Sequence, residues 1–425
     1  MKKIKYILSI IIPLFVVIAC VDDPDVYEFP VDKYYYDIPD VPVTEDYVIG
    51  VPYNIVDSGY WYNASTGLEE LHTGHPADNG FTDNQYIMRN PDTRMPTSML
   101  QRQLEWGKKA GIDFFMVSWG GRGWNDTLLT EWGRLYNQDN SYPKVVIRFD
   151  PGYMLDKVAL KGVEGTNDTL QRDPLRMDSL RFDIDSVYQH IMTKPYIYKA
   201  NNGKIVMSLT NFTNKYPAEI IDLKSFVNEF RTIGQDNLWI MGEIGGNWTS
   251  PENWGYRDES TKGVVKADTI SFVDAVYITD VATGDYERYN GYFSFMDYNY
   301  NYWQQRMRPI NKEYIPVIFP AFDNKVRDPN SGTYFIPRWK PETNIPYIVS
   351  DGAEYQESGV AIERNLSRFE ENPYKTLGNV AKRNVGNTRI ILVYSWNDFR
   401  NGNNLEPTKE FGEDYLNYTK QFFKK

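Results

Sequence analysis

Apolar runs of strand length recur along the chain and alternate with longer segments that can hold helices. Several of these runs are almost continuously apolar, which is typical of strands buried on both faces of a parallel sheet. Alternation of such strands with helical segments predicts an α/β domain. We predict eight strands, at residues 48–53, 113–118, 144–149, 204–209, 238–242, 275–279, 314–319 and 389–394.

The segments between the predicted strands show helical periodicity. Eight strands with intervening helices suit a (β/α)₈ (TIM) barrel, and neither an internal repeat nor a linker divides residues 47–425. We therefore expect one barrel domain over that range. Thr97 is the expected cap of the first helix. The predicted helices lie at residues 97–110, 127–136, 179–200, 217–233, 300–311 and 415–424.

Long loops follow several of the predicted strands. They are rich in Gly, Asn, Asp, Trp and Tyr, and long ordered loops in a compact domain usually carry function. In a barrel, the loops after the strand carboxyl ends surround one cleft. We therefore expect long βα loops to wall a binding cleft, at residues 54–96, 151–178, 244–272 and 320–345.

The first 20 residues predict an export signal. Three lysines precede an apolar run at 7–18, which is short for a membrane span. Cys20, the only cysteine of the chain, resembles the lipidated residue of a bacterial lipoprotein, and the acidic residues that follow it resemble the surface-export signal of Bacteroidetes lipoproteins. This resemblance implies cleavage before Cys20, its lipidation and attachment to the outside of the outer membrane. Residues 21–46 are rich in Asp, Pro and Tyr, and we predict a tether there.

Composition and charge narrow the class of ligand. Loss of residues 1–20 removes three lysines and takes the formal net charge from −11 to −14, which disfavours nucleic acid as a partner. A single cysteine excludes an intramolecular disulfide or a thiolate metal cluster. The chain contains 33 Tyr and 11 Trp, residues that stack on sugar rings and bond hydroxyl groups. We expect a monomer that binds a neutral oligo- or polysaccharide, without cofactor or metal.

Polar or aromatic residues follow nearly every predicted strand. In a barrel they meet at one rim, where a ring of carboxylates, amides and aromatic groups suits a ligand rich in hydroxyl groups. Two carboxyl groups can divide acid and base roles, and glycosidic cleavage generally needs such a pair. The rim residues include Tyr53, Trp119, Asp150, Asn211, Glu243, Asp280, Asp323, Trp396, Asn397 and Asp398.

The segment after the last predicted strand carries a family resemblance. Trp396-Asn397-Asp398, with Gly402 and Leu405-Glu406-Pro407 downstream, resembles the last-strand signature of the glycoside hydrolase family 99-like barrels, which include endo-α-mannosidases. Residues 110–120 and 316–324 resemble the second and seventh strands of that family. The resemblance extends from about residue 48 to the C-terminus. It implies a (β/α)₈ glycoside hydrolase, with α-mannan-type glycans among its substrates.

The chain departs from the family pattern at the catalytic pair. The mannosidases carry two glutamates three residues apart, and Asp398 and Asn401 occupy those positions here. An amide has no titratable proton near neutral pH, so Asn401 cannot serve as a general acid. We therefore predict Asp398 as a catalytic carboxylate paired with Glu243 or Asp323. Asp280 and Asp150 are further alternatives for that partner.

We assign further residues of the rim and of the adjoining loops to substrate binding. Two other classes of function stay open, because the second carboxylate of the family is missing. One is a glycan-binding lipoprotein on a degenerate hydrolase barrel, and the other is a structural surface protein, which would have no deep acidic cleft lined by aromatic side chains. The predicted substrate-binding residues are Tyr53, Trp61, Trp119, Asn211, Asp280, Trp396, Asn397, Asn401 and Glu406.

Overall fold

The computed structural model describes the core of the chain and parts of its loops. The predicted signal segment and Cys20 lie outside the described residues. None of the helices within the described ranges has the length and apolarity that crossing a bilayer requires. The described residues are 36–53, 98–119, 124–149, 174–210, 223–244, 271–279, 292–323, 335–336, 338–340, 345–347, 355–357, 360–362, 371–398, 402–408 and 411–425.

A parallel sheet forms the centre of the molecule. In the described part of the chain its strands are β1 (Val48–Tyr53), β2 (Phe114–Trp119), β3 (Lys144–Phe149), β4 (Ile205–Leu209), β5 (Leu238–Ile244), β6 (Ala275–Ile278), β7 (Glu313–Tyr314), β8 (Val317–Ile318) and β15 (Ile390–Val393). Three short antiparallel hairpins lie between β8 and β15. They pair β9 (Phe322–Asp323) with β10 (Phe335–Ile336), β11 (Arg338–Lys340) with β12 (Ile345–Tyr347), and β13 (Tyr355–Glu357) with β14 (Val360–Ile362).

The sheet closes on itself through a broken strand. Its order is β7-β6-β5-β4-β3-β2-β1-β15-β8, and β7 and β8 are the two halves of one stave separated by Ile315 and Pro316. Ile315 N–H donates to Val276 O on one side (2.9 Å), and Leu392 N–H donates to Pro316 O on the other (2.9 Å). The strand breaks where proline lacks an N–H for the ladder. Eight parallel staves therefore form a closed barrel, and the predicted (β/α)₈ fold is confirmed.

Helices cover the outside of the barrel. They are α1 (Met99–Ala110), α2 (Trp124–Gln138), α3 (Pro174–Val187), α4 (Leu223–Ile233), α5 (Tyr292–Met307), α6 (Pro373–Asn384) and α7 (Asp414–Phe423). A π-helical turn, Tyr188–Met192, continues α3, and a 3₁₀ turn, Arg308–Ile310, continues α5.

Three of the predicted helix assignments need correction, and one helix was not predicted. The cap of α1 is Ser98, not Thr97, since Ser98 Oγ accepts a bond from Gln101 N–H at 3.2 Å. The predicted helix at 179–200 ends early because Ile197 forms a bridge with β3. Helix α5 begins at Tyr292, ahead of the predicted start at residue 300. Helix α6 was not predicted; Asn372 caps it by accepting a bond from Tyr374 N–H at 3.0 Å.

The segment before β1 is part of the folded domain from Tyr36 onwards. Tyr36 Oη donates to Asp297 Oδ2 on α5 at 2.8 Å. On α6, Asn379 Nδ2 donates to Asp40 Oδ1 at 2.8 Å and Lys382 Nζ donates to Val41 O at 2.7 Å. Residues 36–46, which we call the N-terminal strap, thus lie against α5 and α6. The predicted tether boundary at residue 46 is corrected accordingly.

Candidate active site

The turn after β15 presents Asp398 at the carboxyl end of the barrel. The chain leaves β15 at Val393, turns, and folds back so that Asn403 N–H donates to Asp398 O at 3.3 Å and Ser395 N–H donates to Asn403 O at 3.1 Å. Asp398 N–H donates a hydrogen bond to Ser395 Oγ at 2.9 Å. Asn397 and Asp398 are both buried. The described residues on the two sides of this turn are therefore joined by hydrogen bonds.

A layer of polar side chains fills the barrel interior below this turn. Ser208 Oγ on β4 and Tyr277 Oη on β6 are 2.7 Å apart, so both side chains point into the barrel. Glu243 on β5 joins them by bonds to residues of β3 and of the end of β6. These residues occupy the last inward positions before the strands end, the level at which (β/α)₈ enzymes place their chemistry.

Glu243 is held by two short hydrogen bonds. Arg148 Nη2 donates to Glu243 Oε2 at 2.6 Å, and Thr279 Oγ1 donates to Oε1 at 2.6 Å. Glu243 is 3% exposed. Burial alone would lower the pKa of Arg148, but the negative charge of Glu243 outweighs it and the pKa is raised. Burial also raises the pKa of Tyr277, whose phenol stays neutral.

Tyr394 connects this pair to the end of the last strand. Together with Glu243 and Tyr277 it contributes to the raised pKa of Arg148, so its phenol lies within electrostatic reach of the guanidinium. Its ring also packs edge-on against Phe319, with centroids 6.3 Å apart. Tyr394 stands four residues before Asp398. The residue that directly follows β15 therefore lies near the Arg148–Glu243 pair.

Two predicted sugar-contacting residues lie on the helix side of the sheet. Trp396 is fully buried and packs edge-on against Phe115, with centroids 5.0 Å apart. Tyr53 contacts Trp132 of α2 and donates from its hydroxyl to Gln103 of α1. Their rings occupy core positions between the sheet and the helices. A sugar contact for either residue stays a prediction that the packing does not favour.

Glu406 is also buried behind the strand end. Gln103 Nε2 donates to Glu406 Oε1 at 3.0 Å, while Oε2 has no hydrogen-bond partner within the described structure. Burial raises the pKa of Glu406 to about 8, so the carboxyl is neutral at pH 7. Its predicted substrate contact is likewise untested.

Trp119 is anchored at the end of β2. Its Nε1 donates to Asp126 Oδ1 of α2 at 3.1 Å, and its ring stacks on Phe149 with centroids 5.6 Å apart. It also borders a cavity of about 750 Å³ whose lining includes neither Glu243 nor Asp398. The other lining residues lie on or near α2 and α3, so this cavity is on the outer face of the barrel.

Several predicted residues cannot be placed by their side chains. Asp323 lies in β9, where its backbone pairs with Phe335 just beyond β8. The following predicted residues are outside the described part of the chain: Trp61, Asp150, Asn211, Asp280 and Asn401.

Three polar residues of this region were not among the predicted site residues. Arg148, Tyr277 and Gln103 stand within predicted strands or helices, where they read as surface or core positions. A charged residue inside the apolar run of β3 was the one available signal for Arg148, since a charge buried in a sheet needs a partner.

Arg338 fixes the far side of the turn after β15. Its guanidinium lies over the ring of Tyr415, 4.8 Å from the centroid, and is fully buried. Its Nη2 donates to Gly402 O at 3.2 Å and to Asn404 O at 2.7 Å. The hairpin of β11 is thereby tied to the segment that returns from Asp398.

The closed ring of eight parallel staves with helices outside it defines a fold class, the (β/α)₈ barrels. A solved structure described as a glycoside hydrolase-like protein is similar over 93% of this chain and 99% of that chain, with 20% identity and a TM-score of 0.62. This likeness shows the fold.

Other similar structures belong to sugar-cleaving enzymes. The endo-α-mannosidase of family GH99 from Bacteroides thetaiotaomicron is 16% identical, with a TM-score of 0.47, and covers 89% of this chain and 97% of its own. A fungal β-1,4-galactanase is 12% identical, with a TM-score of 0.45, over 89% of this chain and 100% of its own. The predicted likeness to family 99 barrels is confirmed, while the fold argument rests on the glycoside hydrolase-like protein.

Sequence comparison covers less of the chain. A family model described as Glycosyltransferase WbsX matches residues 350–419, which include α6, β15 and the turn with Asp398. No curated protein sequence matches the chain.

Proposed function

We propose that the chain is a glycoside hydrolase that acts on a neutral oligo- or polysaccharide at the carboxyl end of its barrel. The observation that supports this best is the interior layer, in which Arg148 Nη2 donates to the buried Glu243 carboxylate at 2.6 Å. A buried ionisable cluster inside a barrel end is typical of an active site.

Asp398 and Glu243 are the proposed catalytic carboxyl groups. They belong to staves that are three positions apart in the closed sheet, β5, β6, β7/β8 and β15 in turn. Staves three positions apart in an eight-stave barrel lie on different sides of its mouth, where two carboxyl groups can flank a glycosidic bond. Asp323, just beyond β8, remains the alternative partner of Asp398.

A neutral substrate fits the charges of the site. The cation of Arg148 is already neutralised by Glu243, and Asp398 adds a further acidic group. Among the described residues of the site, a glycan that carries carboxylates or sulfates would meet two acidic groups and an arginine that is already paired. Family likeness makes α-mannans the first substrates to test.

The decisive experiment is a screen of purified protein against α-mannans, α-glucans and host glycans, beside Asp398→Asn and Glu243→Gln. We expect turnover of one glycan class, and a loss of at least about 100-fold in each variant. Asp185→Asn is the matched control, because Asp185 is exposed on α3. Turnover that is undiminished in Asp398→Asn contradicts the site assignment.

The same screen addresses two other activities. Asn401 stands where the family has a proton donor, and this favours a protein that binds glycans without cleaving them. Binding without turnover for every glycan would support that function. The match to a glycosyltransferase model makes transfer of a sugar to an acceptor sugar a second candidate reaction. Products resolved by mass distinguish the two reactions, since hydrolysis shortens the glycan and transfer lengthens the acceptor.

We further propose that the protein is an outer-membrane lipoprotein exposed at the cell surface, attached through lipidated Cys20. The support is the sequence of residues 1–25 alone. In the host cell, Cys20→Ser should move the protein from the membrane fraction to the soluble fraction. Protease added to intact cells should remove the wild-type protein, and its survival would contradict surface exposure.

A further inference from the structure

The ion pair of the interior layer spans an intervening strand. Arg148 is on β3 and Glu243 is on β5, and Ser208 of β4 is the register partner of Arg148 between them. Neighbouring strands are about 4.8 Å apart, so the pair bridges roughly 10 Å of sheet. The long arginine side chain can cross because the residue at the intervening inward position is small.

The guanidinium beside Glu243 favours the ionised carboxylate over the neutral acid. One carboxyl oxygen accepts from Arg148 and the other accepts from Thr279, each at 2.6 Å. A neutral carboxyl could still donate to the Thr279 hydroxyl, but only the carboxylate balances the charge of the Arg148 guanidinium. Tyr277, which bonds Ser208 and lies beside Arg148, is neutral and adds no competing charge.

The pair is poorly explained by stability alone. Buried ion pairs seldom stabilise a fold more than apolar residues of similar volume do. Arg148 Nε, in addition, is buried without a hydrogen-bond partner among the described residues. A buried donor left unsatisfied calls for another explanation, and catalytic sites are where such groups collect.

We infer that Arg148 is a positioning residue that holds Glu243 as a fixed negative charge, and that Glu243 is the charge-stabilising carboxylate of the site and not its proton donor. This inference rests on the proposed hydrolase function and assigns the roles within it. The transition state of glycoside cleavage carries positive charge at the anomeric carbon. A carboxylate that is oriented before the reaction stabilises this charge without reorganisation.

The assignment has a consequence for Asp398. If Glu243 stays ionised, proton donation belongs to another group, and Asp398 is the carboxyl that the proposed site leaves for it. The missing glutamate at Asn401 is then compensated by a division of roles between two different strands of the barrel.

The test compares Arg148→Met, Arg148→Lys, Glu243→Gln and the double variant Arg148→Met/Glu243→Gln. For each, kcat and KM are measured against pH on the glycan that the wild type cleaves best, and unfolding is followed by fluorescence. Arg148→Met should lower kcat about 100-fold with KM within about threefold, because a misplaced group costs that much in rate. On the acid side of the plot of kcat against pH, kcat of Arg148→Met should begin to fall at a higher pH than kcat of the wild type.

The remaining variants separate positioning from structure. Arg148→Lys keeps the charge and should recover about tenfold of the lost kcat. Glu243→Gln leaves Arg148 buried without its counter-charge and should lower Tm by about 5 °C. The double variant removes both charges and should regain most of that Tm while staying inactive.

Three outcomes would contradict the proposal, and they differ in what they leave standing. Arg148→Met with wild-type kcat and an unchanged pH profile overturns the role of Arg148 while leaving the hydrolase proposal intact. A double variant that regains both Tm and activity likewise reduces the pair to a structural one. Absence of turnover by the wild type on every glycan removes the proposed function, and the assigned roles with it.

Discussion

Gln103 and Glu406 are joined by a buried hydrogen bond of 3.0 Å that connects α1 to the turn after the last barrel strand. Tyr53 of β1 donates to the same glutamine, so three buried polar side chains form one chain of contacts. Glu406 is the ionisable member, and its pKa is raised to about 8 because burial penalises the carboxylate. It therefore differs from Glu243, which has a buried cation beside it.

Glu406 should make stability fall as pH rises. Its pKa is about 8 in the folded protein and 4.5 when unperturbed, so the folded state binds more protons between these values. Stability is then greatest below about pH 4.5 and is lost as pH rises through 8. The loss is a few kcal/mol, at about 1.4 kcal/mol for each pKa unit. Denaturant unfolding of wild type and Glu406→Gln at pH 5 and pH 9 measures it.

The glutamine variant should remove this pH dependence, since its amide oxygen still accepts from Gln103 and it carries no charge at any pH. Glu371→Gln is the control, because that side chain is 68% exposed. Equal slopes of stability against pH in wild type and Glu406→Gln would show that the carboxyl is not neutral when folded.

Trp396 should behave as a core residue. Trp396→Ala removes a fully buried ring that packs on Phe115, and we expect a loss of about 3–5 kcal/mol in the free energy of unfolding. Phe182→Ala, at a position 60% exposed on α3, should change it by less than about 0.5 kcal/mol. Urea unfolding measures the stability of both variants, and glycan titration measures their affinity. Near-normal stability with weakened glycan affinity in Trp396→Ala would restore the predicted sugar contact.

Gly50 should tolerate no side chain. A Cβ there would lie 2.2 Å from the ring of Phe114 and 2.8 Å from Leu392, inside the closed barrel. Gly50→Ala should therefore cost about 1–3 kcal/mol or more by overpacking. Gly203→Ala is the comparison, because Gly203 has open space but a φ of +79°, and its cost is about 1 kcal/mol. If Gly50→Ala lost less stability than Gly203→Ala in thermal unfolding, overpacking at Gly50 would be contradicted.

The N-terminal strap should contribute to stability. A chain beginning at residue 36 should unfold at the same urea concentration as one with the full N-terminus. A chain beginning at residue 47 loses the bonds of Tyr36, Asp40 and Val41 to α5 and α6. At about 1 kcal/mol for each net hydrogen bond, partly offset by solvent, its stability should fall by about 2 kcal/mol. Equal stability of the two shortened chains would make the strap a passive segment.

Much of the barrel could be predicted because its strands are local signals. Continuous apolar runs such as those of β2 and β5 identify buried parallel strands without knowledge of their neighbours. Helix α6 escaped prediction because its sequence includes a proline, a glycine and several polar residues, and its helical form depends on the Asn372 cap and on packing. The strap was missed for the same reason, since its bonds are to residues more than 250 positions away.

Position along a strand indicated Glu243 and Asp398, because a polar group at a strand end has few purely structural explanations when the whole rim is polar. The structure then separated the predicted site residues by where their side chains are buried. Tyr53 and Trp396 stand at or just after strand ends, as Asp398 does, yet their rings leave the sheet toward the helices and pack against Trp132 and Phe115.

By itself, the sequence determined the parallel strands and the barrel, since these depend on periodicity and on order along the chain. It also predicted Asp398, with Glu243 or Asp323, as candidate carboxylates at strand ends. Only the tertiary structure decided that Arg148 crosses Ser208 to reach Glu243, and that Pro316 interrupts the stave that closes the sheet. The reason is physical. A charge pair in a barrel interior depends on which strands become neighbours and on the size of the residue between them, and neither is encoded within one strand.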